Sequence, residues 1–337
     1  MRNHPLGLII RADASPYIGT GHIMRCLALA QWAQAEDIKA TLISRVSVAW
    51  VIEKIHQAGI DFRIIAGEPP SEEDPLELLE QIGIEKSGGW VILDGYHFGP
   101  DCQKKVRATG HRLLVIDDYM HQPEYSCDIL LNQNIGADDF AYTGDIGQKL
   151  LGPRYTLLRP EFAIARERAR HRVLSEKVCN VLLTLGGGDF SDHLGKVADC
   201  FAIPELASCI LRVIAGAMPH DRIRDLLRSC PAKIEILSRV DDMPALLLDT
   251  DLCVTAGGST CWELCCLGVP FLTLEVAENQ SVVIKEMMNR NIALPLSVNN
   301  FKTFLFNFNL RHENAMCNMS IVDGEGPKLV LNAASTI

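Results

Sequence analysis

Leu8-Ile-Ile-Arg11-Ala-Asp13-Ala-Ser-Pro-Tyr-Ile-Gly19-Thr-Gly21-His22-Ile-Met-Arg25 is the stretch that decides the fold. Its first residues form a short isoleucine-bearing apolar run, as in a buried strand. After the glycines, His22 to Ala35 carries apolar residues at three- and four-residue spacing, the period of a helix packed on one face. Gly19 and Gly21 lack Cβ atoms, so the backbone between strand and helix can turn sharply and admit a ligand. Ligands of open α/β sheets collect at the carboxyl ends of strands, which is where this loop sits. His22 falls in the first helical turn with its imidazole free to point into that crevice. Histidine as a residue type is substantially neutral near pH 7 and accepts a proton from water. The plainer reading is a tight turn with His22 as a helix-start residue. The dinucleotide fingerprint G-x-G-x-x-G is not met, because position 24 is methionine.

Outward from this segment the same alternation repeats. Leu8–Arg11, Ala40–Ile43, Phe62–Ile65, Val91–Leu93 and Leu113–Ile116 read as strands, with helix-like His22–Ala35 and Val48–Ala58 among them. Strand then helix, repeated, means a parallel sheet covered on both faces. The rhythm pauses from about Asn132 to Arg172, where Asn, Gly, Asp and Pro suggest loops around a short Leu150–Leu158 segment and a charged helix, Glu161–Arg172. It restarts with strand candidates Val181–Leu185, Leu211–Ala215, Ile234–Leu237, Leu252–Thr255 and Phe271–Leu274, and helices such as Asp221–Arg228 and Trp262–Leu267. The expected architecture is α/β, with two Rossmann-like doubly wound domains over residues 1–158 and 172–300. The Phe- and Asn-rich run from Phe301 to Asn314 fits neither period, so 301–337 is given no place.

The bulk numbers agree with two domains. A chain of 337 residues exceeds what one core usually fills, and 48% hydrophobic with 22% charged residues is an ordinary globular balance. A net charge of −10 supplies no sequence-wide basic field of the kind nucleic-acid binders use, so no nucleic-acid partner is expected. The apolar run Leu6–Ile10, broken by Gly7, is too short for a secretory core, and nothing approaches the length of a membrane span. Twelve cysteines are scattered without a C-x-x-C pair. The densest group, Cys261, Cys265 and Cys266, has no nearby histidine to complete a zinc shell. Reduced, buried thiols in a cytoplasmic protein are the expectation.

The second half carries two more glycine loops after strands. Ala256-Gly-Gly-Ser-Thr-Cys-Trp-Glu263 opens a helix whose unpaired N–H groups suit a diphosphate, and Glu263 can accept from both hydroxyls of a ribose. The alternative is a capping pair, with Ser259 or Thr260 as the cap and Glu263 as its reciprocal partner. Leu185-Gly-Gly-Gly188-Asp189 is the other loop, weak on its own. Asp94, Asp117 and Asp118 end predicted strands, where paired acids hold a sugar hydroxyl or a metal, or stand as solvated caps.

Taken in order, several motifs carry a resemblance. These are Arg11-x-Asp13 with Ile18-Gly-x-Gly-His22-x-x-Arg25, Asp117-Asp-Tyr, Cys127-Asp-Ile-Leu-Leu-Asn-Gln-Asn134, Arg154-Tyr-Thr-Leu-Leu-Arg159-Pro-Glu-Phe162 and Ala256-Gly-Gly-Ser-Thr through Asn279-Gln280. Over nearly its whole length the chain resembles the UDP-sugar hydrolases of pseudaminic acid biosynthesis. That resemblance implies a GT-B fold with two domains facing across a cleft, similar to the glucosaminyltransferase that makes lipid II. It implies cleavage of UDP-2,4-diacetamido-2,4,6-trideoxy-β-L-altropyranose to UDP and free sugar. The family histidine matches His22. Arg159 and Glu263 then stand as substrate contacts, the Ser259–Thr260 turn as the diphosphate holder, and Asn279 and Gln280 as neighbours of nucleotide or sugar. Asp13, Gly19, Gly21 and Gly188 complete the candidate contact set. On this reading residues 172–300 are the UDP-binding domain, the scheme calls for no cofactor or metal, and water attacks the anomeric carbon with inversion. Three rivals share the fold: a transferase with another acceptor, a non-catalytic nucleotide-sugar sensor, and an epimerase using Asp94 and Asp117 for elimination.

Overall fold

The computed structural model describes residues 7–15, 17–67 and 89–337. Leu6, which starts the N-terminal apolar run, and Pro16 of the first glycine loop lie outside them. By its own contacts the chain divides into two units, Met1–Pro160 with Gly324–Ile337, and Glu161–Asp323.

In the first unit, β1 (Leu8–Ala12), β2 (Ala40–Ser44), β3 (Asp61–Ile64), β4 (Trp90–Asp94), β5 (Arg112–Ile116), β6 (Tyr125–Asn132) and β7 (Gly144–Leu151) form one sheet. Their order is β3-β2-β1-β4-β5-β6-β7, and every pairing is parallel. Parallel strands need helical crossovers, supplied among the described residues by α1 (Gly21–Ala35), α2 (Ala49–Gln57) and α3 (Pro100–Ala108). Helices on both faces explain why β2 and β4 are buried along their whole length. The strand order reverses between β1 and β4. At such a point the loops diverge to opposite faces and leave a crevice at the carboxyl ends.

Neither β6 nor β7 is among the expected strands, and β7 lies where the sequence suggested loops. β6 is a core strand, with Cys127, Ile129, Leu130 and Leu131 fully buried. Its Asp128 and terminal Asn132 mask the apolar run. β7 is the sheet edge, mostly exposed, and its Gly-Asp-Ile-Gly-Gln-Lys sequence has no reason to be apolar.

The second unit repeats the plan. β8 (Asn180–Thr184), β9 (Ile210–Ile214), β10 (Lys233–Leu237), β11 (Leu252–Ala256), β12 (Phe271–Leu274) and the two-residue β13 (Leu294–Pro295) run parallel in the order β10-β9-β8-β11-β12-β13. The helices are α4 (Pro160–Arg170), α5 (Ser191–Phe201), α6 (His220–Leu226), α7 (Met243–Leu248), α8 (Thr260–Leu267), α9 (Ser281–Asn289), α10 (Val298–Phe306) and α11 (Phe308–Ile321). Here the order reverses between β8 and β11, the two strands followed by glycine loops.

The Phe301–Asn314 run is helical, and its asparagines explain the broken period. Asn307 caps α11 by accepting from Leu310 N at 3.0 Å, while Asn314 donates to the carbonyls of Asn291 and Ile292. Phe301 and Phe304 enter the apolar core beside Phe201. Arg311 is 1% exposed and donates to the carbonyls of Phe304, Leu305, Ser175 and Glu176, so its charge is held by backbone oxygen. The last helix, α12 (Gly326–Thr336), returns to the first unit. There Gly326 packs on the Thr156 backbone, and Lys328 Nζ lies 4.7 Å from the centre of the Trp32 ring system. No helix among the described residues is long and apolar enough to cross a membrane.

Candidate functional site

The loop leaving β1 is built to turn. Ser15 Oγ accepts from the N–H groups of Tyr17 and Ile18, each at 3.2 Å, and Ser15 O accepts from Gly19 N at 2.9 Å. Gly19 has φ +77°, a conformation that only a residue without Cβ adopts freely. Gly21 is the first residue of α1, which places His22 in its first turn. Asp13, by contrast, is 1% exposed. Its carboxylate accepts from Arg11 and, at 2.6 Å, from Arg45 N, and its second oxygen lies 3.4 Å from His97 Nε2. Burial alone pushes the Asp13 carboxyl up, but His97, Arg11 and the Arg45 amide outweigh it and hold it low. Asp13 therefore ties the loop to β2 and to the segment after β4.

At the reversal point the end of β4 meets α1. Asp94 Oδ1 is 2.7 Å from His22 Nδ1 and accepts from Arg25 Nη2 at 2.7 Å; Oδ2 accepts from Arg25 Nε at 2.7 Å and from Cys26 Sγ at 3.4 Å. Burial raises a carboxyl pKa, yet Arg25 and His22 hold Asp94 far below the ordinary carboxylate range. Arg25 forks a second time onto Asp118, with Nη1 to Oδ1 at 2.7 Å and Nη2 to Oδ2 at 3.0 Å. Tyr96 O–H and Asn134 Nδ2 complete the Asp118 carboxylate, at 2.9 and 3.0 Å. Burial opposes ionisation of Asp118 as well, and the Arg25 charge again prevails.

Which hydrogen lies between His22 and its neighbours follows from counting. Arg25 Nη2 carries two hydrogens, and Asp94 Oδ1 and Asp118 Oδ2 take both. Its 3.2 Å approach to His22 Nδ1 has no hydrogen left to donate. Asp94 is an acceptor only, so Nδ1 donates to it and the lone pair of the ring sits on Nε2. Among the described residues, the hydrogen bonds of His22 all run through Nδ1, and the side chain is 14% exposed. Such a ring is oriented like the histidine of a catalytic triad, with the outward nitrogen ready to take a proton.

Asp117, adjacent to Asp118, faces inward. It accepts from Tyr142 O–H at 2.5 Å, Tyr125 O–H at 2.8 Å, His121 Nδ1 at 2.5 Å and Met120 N at 2.7 Å. Burial raises its pKa, but His121, Tyr142 and the Met120 amide bring it to about 2. Neither acid is the solvated cap that sequence alone allows, and among the described residues no group of three or more His, Cys, Asp or Glu side chains is placed to hold a metal ion.

In the second unit the two glycine loops flank the reversal point. Ser259 precedes α8 and makes no side-chain cap bond. Thr260 and Glu263 occupy the first turn, half-buried. Gln280 Oε1 accepts from Gly257 N at 3.2 Å and Val276 N at 3.1 Å, strapping the loops after β11 and β12 together. Asn279 stands beside it, half-buried. A Cβ at Gly257 would come within 2.6 Å of Ile284 Cγ1. Gly188 O accepts from Ala217 N at 3.2 Å, and a Cβ at Gly216 would lie 2.7 Å from both Gly186 O and Gly188 O. Gly216, absent from the sequence-derived set, thus seats that loop. Arg159 is 8% exposed, just before α4 in the first unit. All twelve cysteines are free thiols; Cys261 and Cys265 are fully buried, and burial pushes Cys266 up to about 12 despite Arg166, so this group supplies no nucleophile.

No family model matches the chain. An uncharacterised protein of Methanocaldococcus jannaschii is 27% identical over 280 residues, 81% of this chain but 56% of that protein, so the chain spans about half of its length. The spore coat polysaccharide biosynthesis protein SpsG of Bacillus subtilis is 28% identical over 294 residues, 86% of this chain and 83% of the relative. The UDP-2,4-diacetamido-2,4,6-trideoxy-beta-L-altropyranose hydrolase of Campylobacter jejuni is 26% identical over 279 residues, 81% of this chain and 93% of the hydrolase. Among solved structures, Acinetobacter baumannii MurG superposes with TM-score 0.64 at 15% identity over 98% of this chain and 100% of that one. The Neisseria meningitidis UDP-GlcNAc 2-epimerase does so with TM-score 0.61 at 9% identity, over 98% and 100%. The two parallel sheets and these superpositions give the chain a GT-B fold, and along most of its sequence it is similar to the UDP-2,4-diacetamido-2,4,6-trideoxy-beta-L-altropyranose hydrolase.

Proposed function

We propose that the chain hydrolyses a UDP-linked 2,4-diacetamido-2,4,6-trideoxy sugar to UDP and free sugar, with inversion, as a step in nonulosonate biosynthesis. The observation that carries this reading is the His22–Asp94 contact, which leaves an imidazole lone pair on Nε2 at the strand-end crevice of the first unit. Nε2 takes a proton from water as the water oxygen bonds to the anomeric carbon; the carbon–oxygen bond to the diphosphate breaks and its electron pair leaves with UDP. The paired Asp94 carboxylate stabilises the imidazolium that forms. UDP is a good leaving group, so less is asked of a general acid than in ordinary glycoside hydrolysis. The second unit binds UDP through the N–H groups at the start of α8, with Ser259 and Thr260 at the diphosphate and Glu263 at the ribose; uncapped helix-start amides favour an anion. Gly19, Gly21, Gly188, Arg159, Asn279 and Gln280 shape or contact the substrate, and Asp13 acts by fixing the His22 loop.

Elimination at carbon two fits less well. Asp94 and Asp117 already receive hydrogen bonds on both oxygens and are fully buried, so neither is free to abstract a proton. The test is proton NMR of the purified protein with the UDP-sugar and no acceptor. Free sugar should appear with UDP, its first-formed anomer opposite in configuration to the UDP-linked sugar. A transferase would release little sugar under these conditions, and that result would overturn the proposal.

A further inference from the structure

We infer that Met120 is a specificity-determining residue of the strand-end crevice, an apolar arm that packs on the methyl groups of the sugar. Among the described residues, three that are not glycine have positive φ: Asp37, Met120 and Asn291, at +58°, +57° and +55°. Asp37 and Asn291 stand just past the ends of α1 and α9, where a short polar side chain tolerates the left-handed conformation. Methionine has no such tolerance. Its backbone is held there by a carboxylate: Met120 N donates to Asp117 Oδ2 at 2.7 Å, and the fully buried Asp117 is itself fixed by the hydroxyls of Tyr125 and Tyr142. Such strain persists only where the surroundings over-determine it, and asparagine or glycine at 120 would relieve it while keeping the turn.

What the strain secures is a position. The loop that carries Met120 leaves β5 right after Ile116, the ladder partner of Asp94. The ring of Tyr119 lies 5.1 Å from that of Tyr96, which lies 4.9 Å from that of His22. Beside Met120 in this loop stand Asp118, Tyr119 and His121, all polar, yet Met120 itself is apolar and 40% exposed. A ligand with apolar surface gains by covering it. On the reading that the ligand is a UDP-linked 2,4-diacetamido-2,4,6-trideoxy sugar, on which this inference rests, that surface is the methyl at carbon 6 and the two acetamido methyls. An unbranched thioether chain moulds itself to such groups.

The experiment is calorimetry on the full chain in a His22→Asn background, which removes turnover. Three ligands are titrated: that UDP-sugar, UDP-N-acetylglucosamine, which lacks the carbon-6 methyl and the second acetamido group, and UDP. Met120→Asn keeps the left-handed turn, relaxes its backbone and removes the apolar arm, so it should unfold at the same temperature as its parent or higher. It should lower the preference for the trideoxy sugar ~10-fold with UDP affinity unchanged, as expected for loss of an apolar contact. Met120→Leu, which keeps an apolar arm, should retain the preference. An unchanged preference in folded Met120→Asn would make Met120 a turn residue only and overturn the inference, as would a parent that binds both sugars equally or neither. Release of free sugar is scored separately on the wild type. A shifted preference without release would remove the hydrolytic reading and leave Met120 its role, whereas release with no shift would remove Met120 alone.

Discussion

Asp94 and His22 are 72 positions apart in the chain and 2.7 Å apart in space, because β4 is the sheet neighbour of β1 and α1 follows β1 directly. The crossover that places β2 and β3 on the other side of β1 is what brings the two together. A contact of this kind belongs to the topology, and its chemistry is open to direct tests.

Replacing His22 by Asn should lower turnover by roughly two to four powers of ten, because a general base contributes in the transition state and not to nucleotide binding. Calorimetric titration with UDP should give an affinity close to that of the wild type. Near-normal turnover would exclude the assignment.

Asp94→Asn should be nearly as damaging, with turnover down ~10²- to 10⁴-fold, since an amide no longer enforces the Nδ1–H tautomer. It also leaves the buried Arg25 with one charged partner in place of two. Breaking a buried pair costs about 3–5 kcal/mol. Thermal unfolding should therefore show a clear loss of stability alongside the kinetic effect, a combination His22→Asn should not share.

Asp117 links stability to acid. Its carboxyl titrates at about 2 in the folded chain against 3.8 for the ordinary group. A depressed carboxyl contributes fully above the unfolded value and loses its contribution as pH falls through the folded one. The contribution should be on the order of 2 kcal/mol at neutral pH. Denaturant titration of Asp117→Asn should show that deficit at pH 7 and a much smaller one near pH 2, whereas a constant gap would contradict the linkage.

Gly216→Ala should weaken UDP binding without touching a ligand. Gly216 sits at φ +58°, and its missing Cβ leaves room for the carbonyls of Gly186 and Gly188. A methyl group there displaces the loop after β8. An affinity drop of about tenfold or more, with His22 NMR signals unshifted, is expected from such a displacement. Unchanged affinity would mean that the loop takes no part in holding the nucleotide.

Much of this was legible in the residues. The glycine loops announced the strand ends at both reversal points, because close backbone approach and positive φ need glycine, and His22 followed from the first of them. The acids were harder. Asp94, Asp117 and Asp118 were visible at strand ends, but only the sheet order shows that Asp94 and Asp118 share Arg25 while Asp117 turns to Tyr125 and Tyr142. Arg25, one turn beyond His22, stood in the quoted motif without a role, since a helix period places it on the same face but does not say what faces it. β7 gave no apolar signal because an edge strand buries little, and α11 was hidden by asparagines that act as cap and buried tie. Gly216 was invisible, because its neighbours lie about 30 positions earlier.

Because α12 follows the second unit in the chain yet packs with Trp32 in the first, the first unit is complete only after residues 161–323 have been made. The sheet over residues 8–151 emerges early, but the side of α1 that meets α12 stays uncovered while the whole of 161–323 is produced. Strictly sequential completion, one unit and then the next, is thus ruled out by the order of the code itself. A nascent chain stalled before Gly326 should hold a finished second unit and a first unit still waiting for its final helix.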